Sequence, residues 1–264
     1  MVMIGCIQFA PALGDQGKTM ESLSKLIPRA KDAELLVLPE LCNSGYHFID
    51  FEQAWKTSEP IYDSVFINFL ISACQKYGLN IVSGFNERYG TALYNSAILV
   101  GPKGIVGKYQ KLHLFNTEKE YFKPGQAGLP VFDIKDYRIG IQICFDWMFP
   151  EAWRVLALKG ADIICHPSNL VMPGLAQQAV PTHALINRVF TITGNRIGEE
   201  RNLKFTGNSL IANPRGKVIA RASDNDQEIL LVEIDPKESR DKWINQRNNL
   251  LADRKPEEYI ELVK

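Results

Sequence analysis

The chain of 264 residues has the composition of an ordinary folded protein, with 45% hydrophobic and 23% charged residues, which argues against a disordered or fibrous protein. Its 30 basic and 30 acidic residues cancel, and no basic cluster is interleaved with aromatic residues, so nucleic acid is not an expected partner. No apolar run reaches membrane-spanning length, and the N-terminus lacks the pattern of a signal peptide. We therefore expect a cytoplasmic protein, with no membrane association, whose partner is a small molecule.

The cysteines and histidines argue against a disulfide framework and against a metal centre. The cysteines are odd in number and include no CxxC pair, and the four histidines are scattered without an HExxH motif. We expect neither a metal nor another cofactor, and most cysteines should be small buried apolar residues. The five cysteines are Cys6, Cys42, Cys74, Cys144 and Cys165.

The first half of the chain alternates apolar runs with helical patterns. Residues 3–9 and 33–40 are apolar runs of strand length, and residues 17–31 and about 60–77 have helical periodicity. Residues 94–104 carry a Pro-Gly turn between two apolar segments, which predicts a β-hairpin. This half is predicted to contain strands separated by helices, followed by a hairpin.

The second half repeats the same order. Residues 138–144 resemble 3–9, residues 161–168 resemble 33–40, and residues 207–216 resemble the earlier hairpin; helical patterns cover 150–159 and about 174–188. Two such halves predict an α/β fold in which two stacked mixed sheets carry helices on their outer faces. We predict a four-layer α-β-β-α sandwich with internal pseudo-two-fold symmetry.

No linker rich in Pro, Gly and Ser separates the halves, so we expect a single domain over residues 1–264. Two separate small domains are the alternative. The charged tail from about residue 235 is expected to lie at a subunit interface.

Three polar residues lie at or near predicted strand ends, where open α/β folds place their sites. Glu40 closes the second apolar run, and Lys111 is expected to share one face of an extended segment, 111–115, with His113. Cys144 ends a strand and precedes a bend that leads into a helix, an arrangement that exposes a nucleophile beside backbone N–H groups. Taken singly, each has a simpler interpretation, namely a surface acid, a solvated basic strand and an inert buried thiol.

Taken together, the segments around these residues resemble the three signature regions of the nitrilase superfamily: residues 38–41 (LPEL), 107–113 (GKYQKLH) and 143–151 (ICFDWMFPE). The resemblance implies the same four-layer fold. It also implies that Glu40 is a general base, that Lys111 and the Phe145 N–H stabilise an oxyanion, and that Cys144 is the nucleophile.

The resemblance also implies a second glutamate that bonds the lysine, and the register from Pro124 favours Glu118 over Glu120. His113 is expected to be a packed structural residue, while Asn169 is either a substrate contact or part of a polar turn. One departure is that His183 and Ile186 replace the arginine and glutamate of the family's Arg-Ala-x-Glu-Asn pattern.

Within the family, the first expectation is an amidase that acts on a small aliphatic amide and works as a homodimer or larger homo-oligomer. A nitrilase of small aliphatic nitriles or dinitriles and an N-carbamoyl amine hydrolase are the alternatives. Outside this chemistry, the alternatives are a nitrilase-like binding module and a metal hydrolase, the latter disfavoured by the scattered histidines.

Overall fold

The computed structural model describes all of residues 1–264 and contains two six-stranded mixed sheets. The strands of the first sheet are β1 (Val2–Gln8), β2 (Leu35–Val37), β3 (Asn80–Tyr89), β4 (Ala92–Gly101), β5 (Gly104–Gln110) and β14 (Glu228–Ile234). Those of the second are β6 (Val131–Ile134), β7 (Tyr137–Ile141), β8 (Ile163–Ser168), β9 (Phe190–Asn195), β12 (Leu210–Ala212) and β13 (Val218–Arg221). The first sheet has the order β14-β1-β2-β3-β4-β5, and the second has the order β13-β12-β9-β8-β7-β6.

The two sheets have the same pattern of strand directions. In each, three neighbouring strands are parallel and the remaining pairs are antiparallel. Each half also places its last strand in the other half's sheet, since β6 pairs with β7 and β14 pairs with β1. A short hairpin of β10 (Glu199–Glu200) and β11 (Leu203–Lys204) lies outside both sheets. The predicted pseudo-symmetry is confirmed.

Helices cover the outer faces of both sheets. Two lie on the first sheet, α1 (Gln16–Leu26) and α3 (Val65–Tyr77), and two on the second, α5 (Pro150–Leu158) and α6 (Leu175–Asn187). The short helices are α2 (Phe51–Lys56) and α4 (Glu118–Tyr121). The predicted four-layer sandwich is therefore confirmed. No helix combines the length and apolar character needed to cross a membrane.

Local sequence signals set the ends of the helices. The Asp15 carboxylate accepts a hydrogen bond from the Lys18 N–H at 3.0 Å and begins α1, and Ser64 caps α3 in the same way. Gly78, with a φ of 72°, ends α3 in the left-handed conformation that glycine adopts without strain. Pro150 occupies the first turn of α5.

Alternating side chains of the strands form the layers of the core. On β2, Leu35 and Val37 face the space between the sheets, while Leu36 packs under the helices of the first half. The sheets approach closely where β9 crosses β2: a Cβ atom on Gly194 would lie 2.8 Å from the Val37 carbonyl oxygen. Burial on both faces explains why these strands are apolar throughout.

Candidate active site

Glu40 lies just beyond β2, and its side chain is fully buried. The neighbouring β3 holds the backbone on both sides of it, because the Gly84 N–H donates to the Pro39 carbonyl at 3.0 Å and Cys42 N–H donates to the Gly84 carbonyl. A Cβ atom at position 84 would lie 2.3 Å from Glu40 Cα, so only glycine fits there. The carboxylate is thus held by rigid backbone.

Lys111 lies directly after β5 and is also fully buried. Its Nζ donates to Glu40 Oε1 at 2.6 Å and to Glu118 Oε1 at 2.9 Å. The prediction of an extended segment over 111–115 was wrong, because β5 ends at Gln110 and the chain bends. Hydrogen bonds to side chains replace the sheet ladder there: Leu112 N–H donates to the Tyr109 hydroxyl at 3.1 Å.

Glu118 begins α4 and turns its carboxylate toward Lys111, whereas Glu120 is exposed. Glu118 Oε1 also accepts a hydrogen bond from the Tyr46 hydroxyl at 2.8 Å. Asn95 Nδ2, from β4, donates to Glu40 Oε1 at 2.7 Å and, more weakly, to Glu118 Oε2 at 3.4 Å. The structure therefore brings Glu40, Lys111 and Glu118 into direct contact, three of the four residues that the resemblance selected from distant parts of the sequence.

The cluster contains one cation and two carboxyl groups. Burial opposes the charge of Lys111, but the attraction of Glu118 and Glu40 outweighs it and raises the pKa of the ammonium group. Burial raises the pKa of Glu118 despite the nearby Lys111, and the charge of Glu40 adds to this effect. Lys111 is therefore held protonated, and its single positive charge interacts with both carboxyl groups.

Cys144 begins a 3₁₀ turn that ends at Met148, and it has a φ of 41°, which is unusual for a residue other than glycine. Asp146 stabilises this turn: its Oδ2 accepts hydrogen bonds from the Ile143 N–H at 2.9 Å and from the Tyr109 hydroxyl at 2.8 Å. His166, on β8, places its Nε2 atom 2.8 Å from the Cys144 carbonyl oxygen. The predicted elbow between strand and helix is therefore present and well supported.

The Cys144 thiol is held mainly in its protonated form. Burial and the charge of Glu40 raise the pKa of Cys144, and Lys111 and the backbone N–H of Asn169 offset only part of this rise. The lysine thus favours the thiolate, as expected, but does not create it alone. Attack by this sulfur requires a base that removes its proton.

Cys144 lines a small, mostly apolar cavity. Asn169 is the polar amide in its lining. Asn169 Nδ2 donates to the Glu40 carbonyl oxygen at 2.9 Å, and its Oδ1 accepts no hydrogen bond from the protein. Glu40 Oε2 is likewise buried without a protein partner. The other lining residues are Phe115, Phe145, Trp147, Leu170, Val171 and Met172.

His113 occupies a supporting position, as expected. Its Nδ1 lies 2.7 Å from Asp146 Oδ1, and its ring stacks on Phe149. The two residues that depart from the family pattern are His183 and Ile186. The His183 ring stacks on Trp153 with the ring centres 4.8 Å apart, and Ile186 is partly exposed on α6. These replacements lie on the helix layer and leave the cluster of Glu40, Lys111 and Glu118 untouched.

Sequence reasoning missed the hydrogen-bonding roles of Asn95, Tyr46, Asp146 and His166. Asn95 carried a usable signal, because it is a buried polar residue in β4, a strand that is mostly apolar. The contacts of Tyr46 with Glu118, of Asp146 with Tyr109 and of His166 with Cys144 join residues that are distant in sequence, so spacing does not reveal them. Only the bond of Asp146 to Ile143 is local.

Known proteins resemble this chain over nearly its whole length. The sequence profile of the family described as carbon-nitrogen hydrolase matches residues 3–242. The chain is 45% identical to a nitrilase from Pyrococcus abyssi, over 98% of this chain and all of that protein. It is 30% identical to the N-carbamoylputrescine amidase of Arabidopsis thaliana, over 99% and 95% of the two chains.

Among solved structures, a carbon-nitrogen hydrolase from Helicobacter pylori G27 superimposes with a TM-score of 0.87 at 28% identity, covering 100% of this chain and 98% of that one. This chain thus resembles carbon-nitrogen hydrolases both in sequence and in fold. The chain therefore belongs to the carbon-nitrogen hydrolase family of the nitrilase superfamily.

Proposed function

We propose that the protein hydrolyses a small, uncharged aliphatic amide to a carboxylic acid and ammonia through a thioester on Cys144. In this proposal Glu40 is the general base, Lys111 and the Phe145 N–H bind the oxyanion, and Glu118 positions Lys111. The arrangement supports these roles because Glu40 is close enough to raise the pKa of the Cys144 thiol, and Lys111 joins both carboxyl groups.

The first half of the reaction forms the thioester. Glu40 takes the proton of the Cys144 thiol as sulfur attacks the carbonyl carbon, and the resulting oxyanion is stabilised by Lys111 and the Phe145 N–H. When the tetrahedral intermediate collapses, the C–N bond breaks. Glu40 then returns its proton to the leaving nitrogen, which departs as ammonia.

The second half of the reaction releases the acid. Glu40 removes a proton from a water molecule that attacks the thioester carbon, and the same two donors stabilise the second oxyanion. Collapse of this intermediate breaks the C–S bond, and the proton returns to sulfur. The products are the carboxylic acid and the free Cys144 thiol.

The choice of an amide rests on the two buried acceptors, Glu40 Oε2 and Asn169 Oδ1, that have no hydrogen-bond donor within the protein. The NH₂ group of a primary amide offers two N–H donors, whereas a nitrile nitrogen offers none. Leaving such acceptors unpaired costs about 1–3 kcal/mol each, so a substrate that supplies both donors is favoured.

The lining of the cavity limits the rest of the substrate. Apart from Cys144 and Asn169, the cavity is lined by aromatic and aliphatic side chains and by no charged residue. A charged group there would lose its hydration without gaining a partner. We therefore propose a short, uncharged aliphatic acyl group rather than the carboxylate-bearing acyl group of a dicarboxylic ω-amide.

A nitrile is the second candidate substrate, and it is favoured by the 45% identity with the Pyrococcus nitrilase. Attack by Cys144 would then give a thioimidate, and addition of one water molecule followed by loss of ammonia would lead to the same thioester. An N-carbamoyl amine is the third candidate. It is supported by the similarity to the plant N-carbamoylputrescine amidase.

The test is ammonia release from a panel of aliphatic amides, nitriles and N-carbamoyl amines by the wild type and by Cys144→Ala. Cys74→Ala is the matched control, since Cys74 is also buried but lies on α3. We expect release from short amides that Cys144→Ala abolishes and Cys74→Ala retains. Release only from nitriles or carbamoyl amines would select those substrates instead, and release that persists in Cys144→Ala would refute the mechanism.

We also propose that the protein is one domain in the cytoplasm and forms a homodimer through the outer face of α5 and α6. This face has an apolar groove lined in part by Leu158 and Ile186, both partly exposed, and the C-terminal tail borders it through Tyr259 and Leu262. Light scattering after size-exclusion chromatography should give a dimer for the wild type and a monomer for Ile186→Glu. A monomeric wild type would contradict the dimer.

A further inference from the structure

A buried histidine outside the ionic cluster contacts the peptide bond that follows the nucleophile. His166 lies on β8 with no exposed surface, and its Nε2 is 2.8 Å from the Cys144 carbonyl oxygen. On the other side of the ring, Nδ1 is 3.1 Å from Thr193 Oγ1 on β9. The edge of the Trp153 ring lies against the imidazole. The imidazole is therefore fixed on three sides.

These contacts determine which nitrogen of the His166 ring carries the proton. Burial lowers the pKa of His166 to about 4, so the imidazole is neutral at pH 7 and carries one N–H. A carbonyl oxygen only accepts hydrogen bonds, so the ring proton is on Nε2, and the Nε2–H group donates a hydrogen bond to the Cys144 carbonyl oxygen. Nδ1 carries no proton and accepts a hydrogen bond from the Thr193 hydroxyl. The Ser168 hydroxyl lies 3.2 Å from Nε2 and donates to the His166 carbonyl oxygen at 3.1 Å.

The hydrogen bond to the Cys144 carbonyl acts on the next N–H group. The carbonyl of Cys144 and the N–H of Phe145 belong to the same planar, trans peptide unit and point in opposite directions. Fixing the carbonyl oxygen therefore also fixes the direction of the Phe145 N–H. Because hydrogen bonds polarise one another along a chain, a donor at the carbonyl also makes that N–H a stronger donor.

The backbone at Cys144 needs this support. Its φ of 41° lies in the left-handed region, which a cysteine adopts only when surrounding contacts hold it there. Asp146 holds the start of the turn through the Ile143 N–H, but among the side chains only His166 bonds the Cys144 carbonyl itself. Removing that donor would free the peptide unit between Cys144 and Phe145 to tilt.

We propose that His166 is a positioning residue that holds and polarises the Phe145 N–H as an oxyanion donor, acting through the carbonyl of Cys144. This inference rests on the oxyanion role of that N–H in the proposed function. The fixed peptide should matter where negative charge develops on oxygen, that is, in the tetrahedral transition states. It should matter little for substrate binding or for the reactivity of the sulfur itself.

The test compares two reactions of Cys144 in the same variants. Hydrolysis of the best amide passes through an oxyanion, whereas alkylation by iodoacetamide is a displacement at a CH₂ carbon and forms none. The variants are His166→Leu, which removes the donor, and His166→Gln, whose amide NH₂ reaches the position of Nε2. His183→Leu is the matched control, because His183 stacks on the same Trp153 but does not bond the Cys144 peptide.

In His166→Leu we expect kcat to fall by about 10- to 100-fold, less than the loss of a whole oxyanion donor, with KM unchanged. Alkylation of Cys144 should stay within about threefold of the wild type, His166→Gln should recover most of kcat, and His183→Leu should change neither rate. Unchanged kcat in His166→Leu would refute the proposal. So would an equal fall of kcat and alkylation, or a failure of His166→Gln to recover activity.

If His166→Leu does not fold, Thr193→Val gives the same test with a smaller effect, because it removes the hydroxyl that orients the imidazole. We expect a fall in kcat of a few fold at an unchanged alkylation rate, and no change in kcat would refute the proposal. Failure of the proposed function is distinguishable from either result. It would appear in the wild type, as absent or Cys144-independent hydrolysis.

Discussion

The molecule buries two ionic clusters, and they differ in how completely their charges and hydrogen-bonding groups are satisfied. In the first, Arg196 pairs with Glu200, and the Glu200 carboxylate also accepts hydrogen bonds from the Tyr46 and His47 N–H groups at 3.0 and 2.7 Å. Arg196 donates further to the Pro11 carbonyl oxygen at 3.2 Å. One cation faces one carboxylate, and both are fully bonded.

The second cluster is less complete. Lys111 serves two carboxyl groups, and Glu40 Oε2 has no partner within the protein. Tyr46 connects the clusters, since its N–H bonds Glu200 and its hydroxyl bonds Glu118. The pair of Arg196 and Glu200 leaves no free acceptor, whereas an excess of carboxylate beside a buried thiol can accept a proton. We therefore propose that the cluster of Arg196 stabilises the fold and that the cluster of Lys111 carries the chemistry.

Glu40→Gln should have the largest effect on activity. The amide cannot accept the Cys144 proton, so kcat should fall by about 10³-fold, within the range for a lost general base. The fold should keep its stability, because Lys111 and Glu118 then form a balanced pair. Steady-state ammonia release and thermal unfolding measure both quantities.

Glu87→Gln is the matched control, because Glu87 is a buried carboxylate that pairs with Lys108 away from Cys144. Its kcat should stay within about threefold of the wild type, the range of a residue that does not touch the reacting atoms. Equal losses in both variants would show that any buried carboxylate change harms activity.

Arg196→Met should have the opposite profile. It leaves Glu200 buried without its cation, which lowers the free energy of unfolding by about 3–5 kcal/mol. The folded fraction should keep at least tenfold more activity than Glu40→Gln, because Lys111 and both of its carboxyl partners remain. Urea unfolding followed by tryptophan fluorescence gives the stability, and an unchanged midpoint would contradict the division between the clusters.

His166 extends the comparison to a buried base that has no carboxylate bonded to it. Its pKa falls from 6.5 to about 4 because of burial; the hydrogen bond to the Cys144 carbonyl and the charge of Asp146 oppose the fall, while Lys111 and His183 add to it. The folded state then binds fewer protons than the unfolded state, so the stability from neutral His166 is present above pH 6.5. That stability is lost as the pH falls through 4, by about 3 kcal/mol in total.

The measurement is the free energy of unfolding of the wild type relative to His166→Gln between pH 7.5 and 4. The other titrating groups occur in both proteins and largely cancel, so the wild type should lose about 3 kcal/mol more than the variant as the pH falls. Parallel curves would show that His166 does not titrate as its surroundings require.

Tyr46→Phe should have the smallest effect. It removes the hydroxyl that donates to Glu118 and leaves both clusters otherwise complete, so stability should fall by about 1 kcal/mol. A positioning contact of this kind should lower kcat by no more than about tenfold. A loss as large as that of Glu40→Gln would place Tyr46 among the catalytic groups.

Much of the fold could be predicted from the sequence because its signals are local. Asp15, Gly78 and Pro150 mark helix ends, and the repeated order of strands in the two halves specifies the sandwich. The alternation over 111–115 was misleading, because the Leu112 and His113 N–H groups donate to the side chains of Tyr109 and Asp146 rather than to a neighbouring strand. Period-2 apolar patterns do not reveal which partner supplies the hydrogen bonds.

The candidate site was predicted only in part. Glu40, Lys111, Glu118 and Cys144 were named from motif resemblance, and the structure brings the first three into direct contact. Their catalytic roles remain proposals. The contacts of His166 with Cys144 and of Asn95 with Glu40 span 22 and 55 positions. The polar Asn95 could be noticed within a buried strand, but a single sequence does not show which residue either side chain contacts. In the proposed mechanism these neutral side chains orient the reacting groups.

The central claim is that Cys144 carries the acyl group between the two halves of the reaction. The most direct measurement is the intact mass of the protein after rapid acid quenching during turnover of the best substrate, followed by peptide mapping. We predict an added mass equal to the acyl group, located on the peptide that contains Cys144 and absent from Cys144→Ala. Efficient ammonia release with no adduct at any quench time, and undiminished by Cys144→Ala, would contradict a thioester at this residue.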